Sequence, residues 1–246
     1  MQAHQPPARG RHHLLLVCCG QQVRDRVESG SQSGQPNAGR VPGTSDPRQP
    51  TGRAQGGPPL GLLTCLRYAG ELRLALIFAA TTAAAGVVVS FLPLAAGSSG
   101  NIATVGLLAQ ALTATAARWW AGRHGDRRGH AGLLVPALAL AAAGMTGMIW
   151  LATPAVAIAA MCLFGAGFGL IQNATLALML DRIPASGIGI ASALWNVAYD
   201  AGYGAGPVAV GLFVGHTGYS AAFAVTGLLI LAAWPAARRE RAAGER

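Results

Sequence analysis

Lysine is absent from the 246 residues of this chain, and only 11% of the residues are charged. Aromatic residues are also few, at 6%, whereas hydrophobic residues make up 52%. This low charged fraction, with a mean hydropathy of +0.41, excludes an ordinary soluble domain. The apolar residues are mostly Ala, Leu, Val and Gly, whose small side chains let helices approach closely in a membrane bundle.

Motifs for catalysis and metal binding are missing as well. The sequence contains no G-x-S-x-G, no H-E-x-x-H and no G-K-[ST] loop, and its histidines lack metal-ligand spacing. The cysteines Cys18, Cys19, Cys65 and Cys162 lack the paired spacing of a zinc site or a disulfide framework. We therefore expect no metal, no cofactor and no enzymatic activity. The arginines behind the net charge of +9 form no continuous basic face, so nucleic acid is not an expected partner.

The first 66 residues differ in composition from the rest. They are rich in Gly, Pro, Gln, Ser and Arg, and their one apolar run, residues 14–19, is too short to span a bilayer. We predict that residues 1–66 form a disordered tail. Its origin stays open among a mispredicted start, an off-frame segment and a central loop left by truncation.

Long apolar stretches follow, each close to the roughly 20 residues that a helix needs to cross the hydrocarbon core. Because they are continuously apolar rather than alternating, they predict helices and not barrel strands. The predicted fold class is an all-α integral membrane protein, with a bundle at 67–237 and a basic cytoplasmic tail at 238–246. The six predicted transmembrane helices cover about 72–94, 102–122, 132–151, 154–180, 188–214 and 219–236.

Arginine occurs in every second break between these stretches. The breaks at 95–101, 152–153 and 215–218 contain none, whereas the other breaks and the C-terminal tail all carry arginine. Short loops that contain arginine stay in the cytoplasm. We therefore expect a multi-pass protein of the cell membrane with both termini in the cytoplasm.

The break after the second stretch reads Gly122-Arg123-His124-Gly125-Asp126-Arg127-Arg128-Gly129. It resembles the cytoplasmic loop signature G-x-x-x-D-[RK]-x-G of the major facilitator superfamily. The resemblance implies a gate latch made by Gly122, Asp126, Arg127, Arg128 and Gly129. The glycines would permit close packing and a tight turn, and Asp126 would pair with arginine or cap a helix. The alternative is an ordinary charged cytoplasmic turn.

Two glycine-rich stretches extend this resemblance. Residues 165–169 and 202–207 look like parts of the tenth and eleventh helices of bacterial members of the family. The resemblance covers about 72–237, which is the C-terminal six-helix half of a twelve-helix fold. Gly165, Gly169, Gly202 and Gly206 are expected to allow close helix contacts, and Pro207 to loosen the fifth helix by removing a backbone donor.

Asp200 is an acidic residue within a predicted span, where a charge costs about 2.5 to 3.5 kcal/mol or more. One interpretation is a protonatable or substrate-contacting group that faces a wet cavity. The other is an acid held for packing, with Tyr199, Tyr203 or Asn196 as its partner.

Further polar candidates lie in neighbouring helices. Gln172 and Asn173 in the fourth helix can bind a polar substrate or join helices, and Gln110 in the second is a weaker candidate for the same role. The predicted substrate or proton pathway therefore comprises Asp200, Gln172, Asn173, Asn196, Tyr199 and Gln110.

The resemblance implies a secondary active transporter of a small molecule, with proton-coupled efflux by antiport, in which two six-helix bundles rock around a midplane site. Only one bundle is visible, so transport requires self-association or a separate partner half. The expected partners are the lipid bilayer and a small-molecule substrate. The alternatives are a non-transporting membrane scaffold or inactive remnant, and a membrane-embedded enzyme, for which too few polar groups converge.

Overall fold

The structure, a computed structural model, describes residues 69–97, 100–184 and 187–244, and every regular element within these ranges is a helix. Two short 3-10 helices, Ala131–Leu133 and Met148–Trp150, flank α3. The α-helices are α1 (Ala69–Ala96), α2 (Gly100–Arg128), α3 (Leu134–Gly147), α4 (Pro154–Arg182), α5 (Ile188–Ala232) and α6 (Trp234–Gly244).

The predicted all-α membrane fold is confirmed. In the described part of the chain, four stretches are long and apolar enough to cross a membrane: Gly70–Ala96, Ala131–Trp150, Pro154–Arg182 and Ile188–Gly244. Helix α2 has 29 residues but is not among them, because Gln110, several threonines and its arginines lower its hydropathy. The last stretch has 57 residues, more than twice what one crossing needs.

A glycine divides that last stretch. Gly218 has φ 80° and ψ 168°, a conformation that residues with a Cβ rarely adopt, and it separates residues 188–217 (here α5a) from residues 219–232 (here α5b). A second interruption follows at Ala233, and residues 238–244 of the predicted basic tail belong to helix α6. Ala237 and Glu240 of α6 are buried.

Helix α2 also ends later than expected. It continues through Asp126 to Arg128, although the sequence predicted an end near Gly122. The end comes at Gly129, whose φ of +84° reverses the chain and whose N–H donates to the carbonyl oxygen of Gly125 at 2.8 Å. The charged motif therefore occupies the last turns of a helix rather than a loop.

Helices pack in pairs through glycines. Helix α1 lies along α5a, α2 lies along α4, and α3 packs against α4 and α5. A Cβ at Gly202 or Gly206 would overlap the backbone of α1, and a Cβ at Gly165 or Gly169 would overlap the backbone of α2. Such close approach is how bundles in lipid gain van der Waals contact where no hydrophobic effect drives helices together.

Candidate functional site

The packing of α2 against α4 determines the depth in the bundle at which several polar side chains lie. Gly165 abuts Gln110, and one turn later Gly169 abuts Ala114, so the two helices run in the same direction. One further turn brings Asn173 of α4 level with Arg118 of α2. We call this level the arginine layer.

Helix α5a contributes to the same layer from the other side of α4. Trp195 donates its indole N–H to the hydroxyl oxygen of Thr175 at 3.2 Å, half a turn beyond Asn173. Tyr199 lies one turn after Trp195 and stacks on it with ring centroids 6.2 Å apart, while Arg118 of α2 is exposed. The α4–α5a contact therefore brings the turn of α4 that contains Asn173 and the ring of Trp195 to similar depths.

The aromatic rings form a column along α5a. Phe78 of α1 stacks on Trp195, with ring centroids 4.4 Å apart and an interplanar angle of 17°. Tyr199 and Tyr203 stack in turn, with centroids 5.7 Å apart and an angle of 11°. Tyr199 lies 6.2 Å from Trp195. The column is fixed at one end by the Trp195 hydrogen bond, and both tyrosines remain partly exposed.

The amides on α4 have unused acceptors. Gln172 is 8% exposed, and neither its Oε1 nor the buried Oδ1 of Asn173 has a hydrogen-bond partner among the residues described. Gln110 is also buried, but its backbone lies against Gly165 in the α2–α4 contact, about two turns from the arginine layer. Gln172 and Asn173 are therefore separated along the α2–α4 contact from Gln110.

Asp200 lies on the exposed surface of α5a. It interacts electrostatically with Tyr199, the residue before it. Asn196, one turn earlier, donates its side-chain amide to the carbonyl oxygen of Ser192 at 2.8 Å, so that bond stays within its own helix.

The charged motif lies at the end of α2. Asp126, Arg127 and Arg128 are exposed, and Asp126 takes part in an interaction with the surrounding protein. Gly122 lies against α4, where its Cβ position is 3.8 Å from Nδ2 of Asn173. The motif glycine Gly122 and the pathway candidate Asn173 are thus neighbours across one helix contact.

A second charged group was not anticipated from the sequence. Glu240 of α6 is fully buried and accepts hydrogen bonds from Nε of Arg73 at 2.6 Å and from an Nη of Arg182 at 2.5 Å. It thereby joins the start of α1, the end of α4 and α6. A buried oxygen of Glu71, without a hydrogen-bond partner in the described residues, lies in electrostatic range of Arg182 and Glu240.

In the sequence analysis, arginines, including Arg73, Arg118 and Arg182, were treated only as markers of the cytoplasmic side. A signal for Arg118 was present, since it lies inside the predicted span 102–122 rather than in a break. The sequence indicated a role for Glu240 less clearly: it is a single acid among the arginines at 238, 239 and 241. Among the residues described, no group of three or more His, Cys, Asp or Glu side chains could hold a metal ion.

Comparison with known proteins adds one similarity. The model of the Major Facilitator Superfamily matches residues 35–207, more than half of the chain. The match includes α1 to α4 and α5a as far as Pro207, and it begins within the predicted tail. Among curated proteins, no relative matches the chain.

Proposed function

Because this chain belongs to the major facilitator superfamily of membrane transporters, we propose that it is a secondary active transporter that exports a small molecule in exchange for protons. Family membership is the observation that carries the proposal. Asp200 is an acid within an apolar helix, and it can bind a proton where a cavity admits water. It therefore supports the proton as the coupling ion.

The proposed substrate pathway runs through the arginine layer and along α5a. Gln172 and Asn173 carry buried amide oxygens without a hydrogen-bond partner among the residues described. On α5a, Tyr199 is partly exposed and Asp200 is exposed. In the proposed cycle these groups face a second six-helix bundle, because transporters of this kind bind substrate between two halves. That second bundle is either another copy of this chain or a separately encoded half. A non-transporting membrane scaffold is the alternative, and transport by the purified chain in vesicles excludes it.

Transport can be tested without knowing the substrate. The full chain is reconstituted into vesicles that contain a pH-sensitive dye and hold a proton gradient, and small molecules are added one at a time. We expect at least one compound to speed the collapse of the gradient only in vesicles that contain the chain. If none does although cross-linking shows that the chain self-associates in the vesicles, the scaffold hypothesis replaces transport by the self-associated chain.

Asp200→Asn is expected to abolish proton coupling in the same vesicles, reducing compound-driven proton movement at least tenfold. The amide keeps the size of the side chain but cannot exchange a proton. Asp181→Asn is the matched control, since Asp181 is an exposed acid near the end of α4. Unchanged coupling in Asp200→Asn removes Asp200 from the mechanism.

The proposed orientation places the Asp126 end of α2 in the cytoplasm. In a variant with its four cysteines replaced by serine, a cysteine introduced at Arg127 should react with an impermeant maleimide only after the cells are opened. A cysteine at Thr217, in an arginine-free break, should react in intact cells. The opposite labelling pattern contradicts the proposed topology.

A further inference from the structure

A cavity of about 400 Å³ opens between the end of α2, the start of α3 and the end of α6, and we call it the α2–α3–α6 cavity. Among the described residues that line it, two are arginines, Arg128 and Arg241, and none is acidic. Asp126 precedes Arg128 by two residues, and side chains two residues apart on a helix do not face each other. The cavity therefore has positive charge on two of its walls.

Helix α6 forms one of these walls and is attached to the bundle at both ends of it. Glu240, the residue before Arg241, is fully buried in the ion pairs described above. Three residues beyond Arg241, a Cβ at Gly244 would lie 2.8 Å from the Cβ of Ala131. The cavity is thus part of the fold and not a gap beside a free tail.

The cavity lies where a membrane span begins. The apolar span Ala131–Trp150 starts among its lining residues, and Val135 and Pro136 of α3 add an apolar wall further along that span. Arg128, at the end of α2, is exposed. The lining therefore changes from charged to apolar in the direction that leads into the bilayer. A phospholipid changes in the same direction, from its phosphate to its acyl chains.

The two arginines differ in how they are engaged within the protein. No ion pair of Arg128 occurs among the described residues, whereas Arg241 also interacts with the surrounding protein. A planar guanidinium can donate two parallel hydrogen bonds to a phosphate group. Basic pockets between membrane helices are known binding sites for anionic lipid headgroups. We therefore expect Arg128 to contribute more to anion binding than Arg241 does.

We propose that the α2–α3–α6 cavity binds a phosphate-bearing anion, and that this anion is the headgroup of an anionic phospholipid on the side of the bilayer where α2 ends. The phosphate accepts hydrogen bonds from Arg128 and Arg241, and the glycerol ester region lies against Val135 and Pro136. A soluble phosphate ester carries the same charge, but it leaves the apolar wall without a partner. The inference uses neither the substrate nor the second bundle of the proposed function, so it is tested independently of transport.

Competition against a fluorescent phosphatidylglycerol bound to the full chain in detergent tests the ligand class. Phosphatidylcholine has the phosphate and acyl chains but no net charge, and glycerol 3-phosphate has the phosphate but no acyl chains. We expect unlabelled phosphatidylglycerol to displace the probe at least tenfold better than either. Equal displacement by phosphatidylcholine, or no saturable binding of the probe, overturns the proposal. Equal displacement by glycerol 3-phosphate assigns the cavity to a soluble phosphate ester and overturns the lipid assignment.

Arg128→Gln should weaken phosphatidylglycerol binding about tenfold, because hydrogen bonds between arginine and phosphate are charge-assisted. Arg127→Gln is the matched control: it removes the same charge one residue earlier, but Arg127 does not line the cavity. Equal losses in the two variants would mean that the overall charge of this surface attracts the lipid, and the proposal would be wrong.

Gly132→Leu tests the cavity without changing any charge. Gly132 lines the cavity, and its Cβ position has no neighbouring atom within 4 Å, so a leucine side chain can enter the cavity without displacing the backbone. We expect binding to fall at least tenfold, while the thermal unfolding midpoint changes by less than about 2 °C. Gly189→Leu is the control, since Gly189 is equally open but lies at the start of α5a. Unchanged binding in a folded Gly132→Leu variant overturns the proposal, also where Arg128→Gln fails to fold.

Discussion

Replacing Gly202 with leucine should separate α1 from α5a and lower the thermal unfolding midpoint of the purified chain by about 6 to 12 °C. A Cβ at this position would overlap the carbonyl oxygen of Ala79 and the hydroxyl oxygen of Thr82. The carbonyl oxygen belongs to the helix backbone and cannot rotate away as a flexible side chain can. Overpacking costs about 1 to 3 kcal/mol, and a backbone contact belongs at or above the upper value. In a protein of this size each kcal/mol corresponds to about 2 to 4 °C.

Gly204→Leu is the matched control for that substitution. Gly204 lies two residues further along α5a, and its Cβ position has no neighbouring atom within 4 Å. The same added side chain then projects into open space, so the unfolding midpoint should change by less than about 2 °C, as for an ordinary surface substitution. Equal midpoints for both variants, measured in the same detergent, would mean that α1 and α5a do not pack as described.

Glu240→Gln should lower the free energy of unfolding by about 2 to 3 kcal/mol. Removing one partner of a buried ion pair costs about 3 to 5 kcal/mol, because the remaining charge is left uncompensated. The expected loss is smaller here because the side chains of Arg73 and Arg182 are 36% and 31% exposed and can regain water. The measurement is thermal unfolding of the purified chain, with an expected midpoint decrease of about 4 to 12 °C.

Arg239→Gln provides the control on the same helix, because Arg239 is exposed and should contribute less than about 0.5 kcal/mol. The double variant Arg73→Gln, Glu240→Gln should lose less stability than the sum of its single variants, since the two side chains interact directly. Additive losses would indicate that Glu240 and Arg73 are not paired.

Sequence patterns were sufficient for the elements that depend on local composition. The long apolar runs predicted the membrane helices, and the break predicted between 214 and 219 contains Gly218, which divides α5. The charged signature ending at Gly129 indicated the superfamily that the family comparison also found. The end of α2 was harder to locate, because the apolar stretch ends near Gly122 whereas the helix continues through the charged motif to Arg128.

The candidate site was only partly accessible to sequence reasoning. Gln172, Asn173, Tyr199 and Asp200 stand out as polar residues in apolar runs, and their roles remain predictions. Arg118 carries the same signal, yet an arginine near a predicted helix end is equally typical of a topology marker.

The amino-acid sequence by itself determined that this protein is a helical membrane protein of the major facilitator superfamily, because hydropathy and helix-terminating glycines act locally. The tertiary structure alone decided which residues meet at one depth. Burial of Glu240 between Arg73 and Arg182 depends on α6 folding back onto the bundle, and the arginine layer depends on the register of α2 against α4. Both are long-range arrangements: glycine patterns indicate where helices can approach closely, but not which helices pair or in which register.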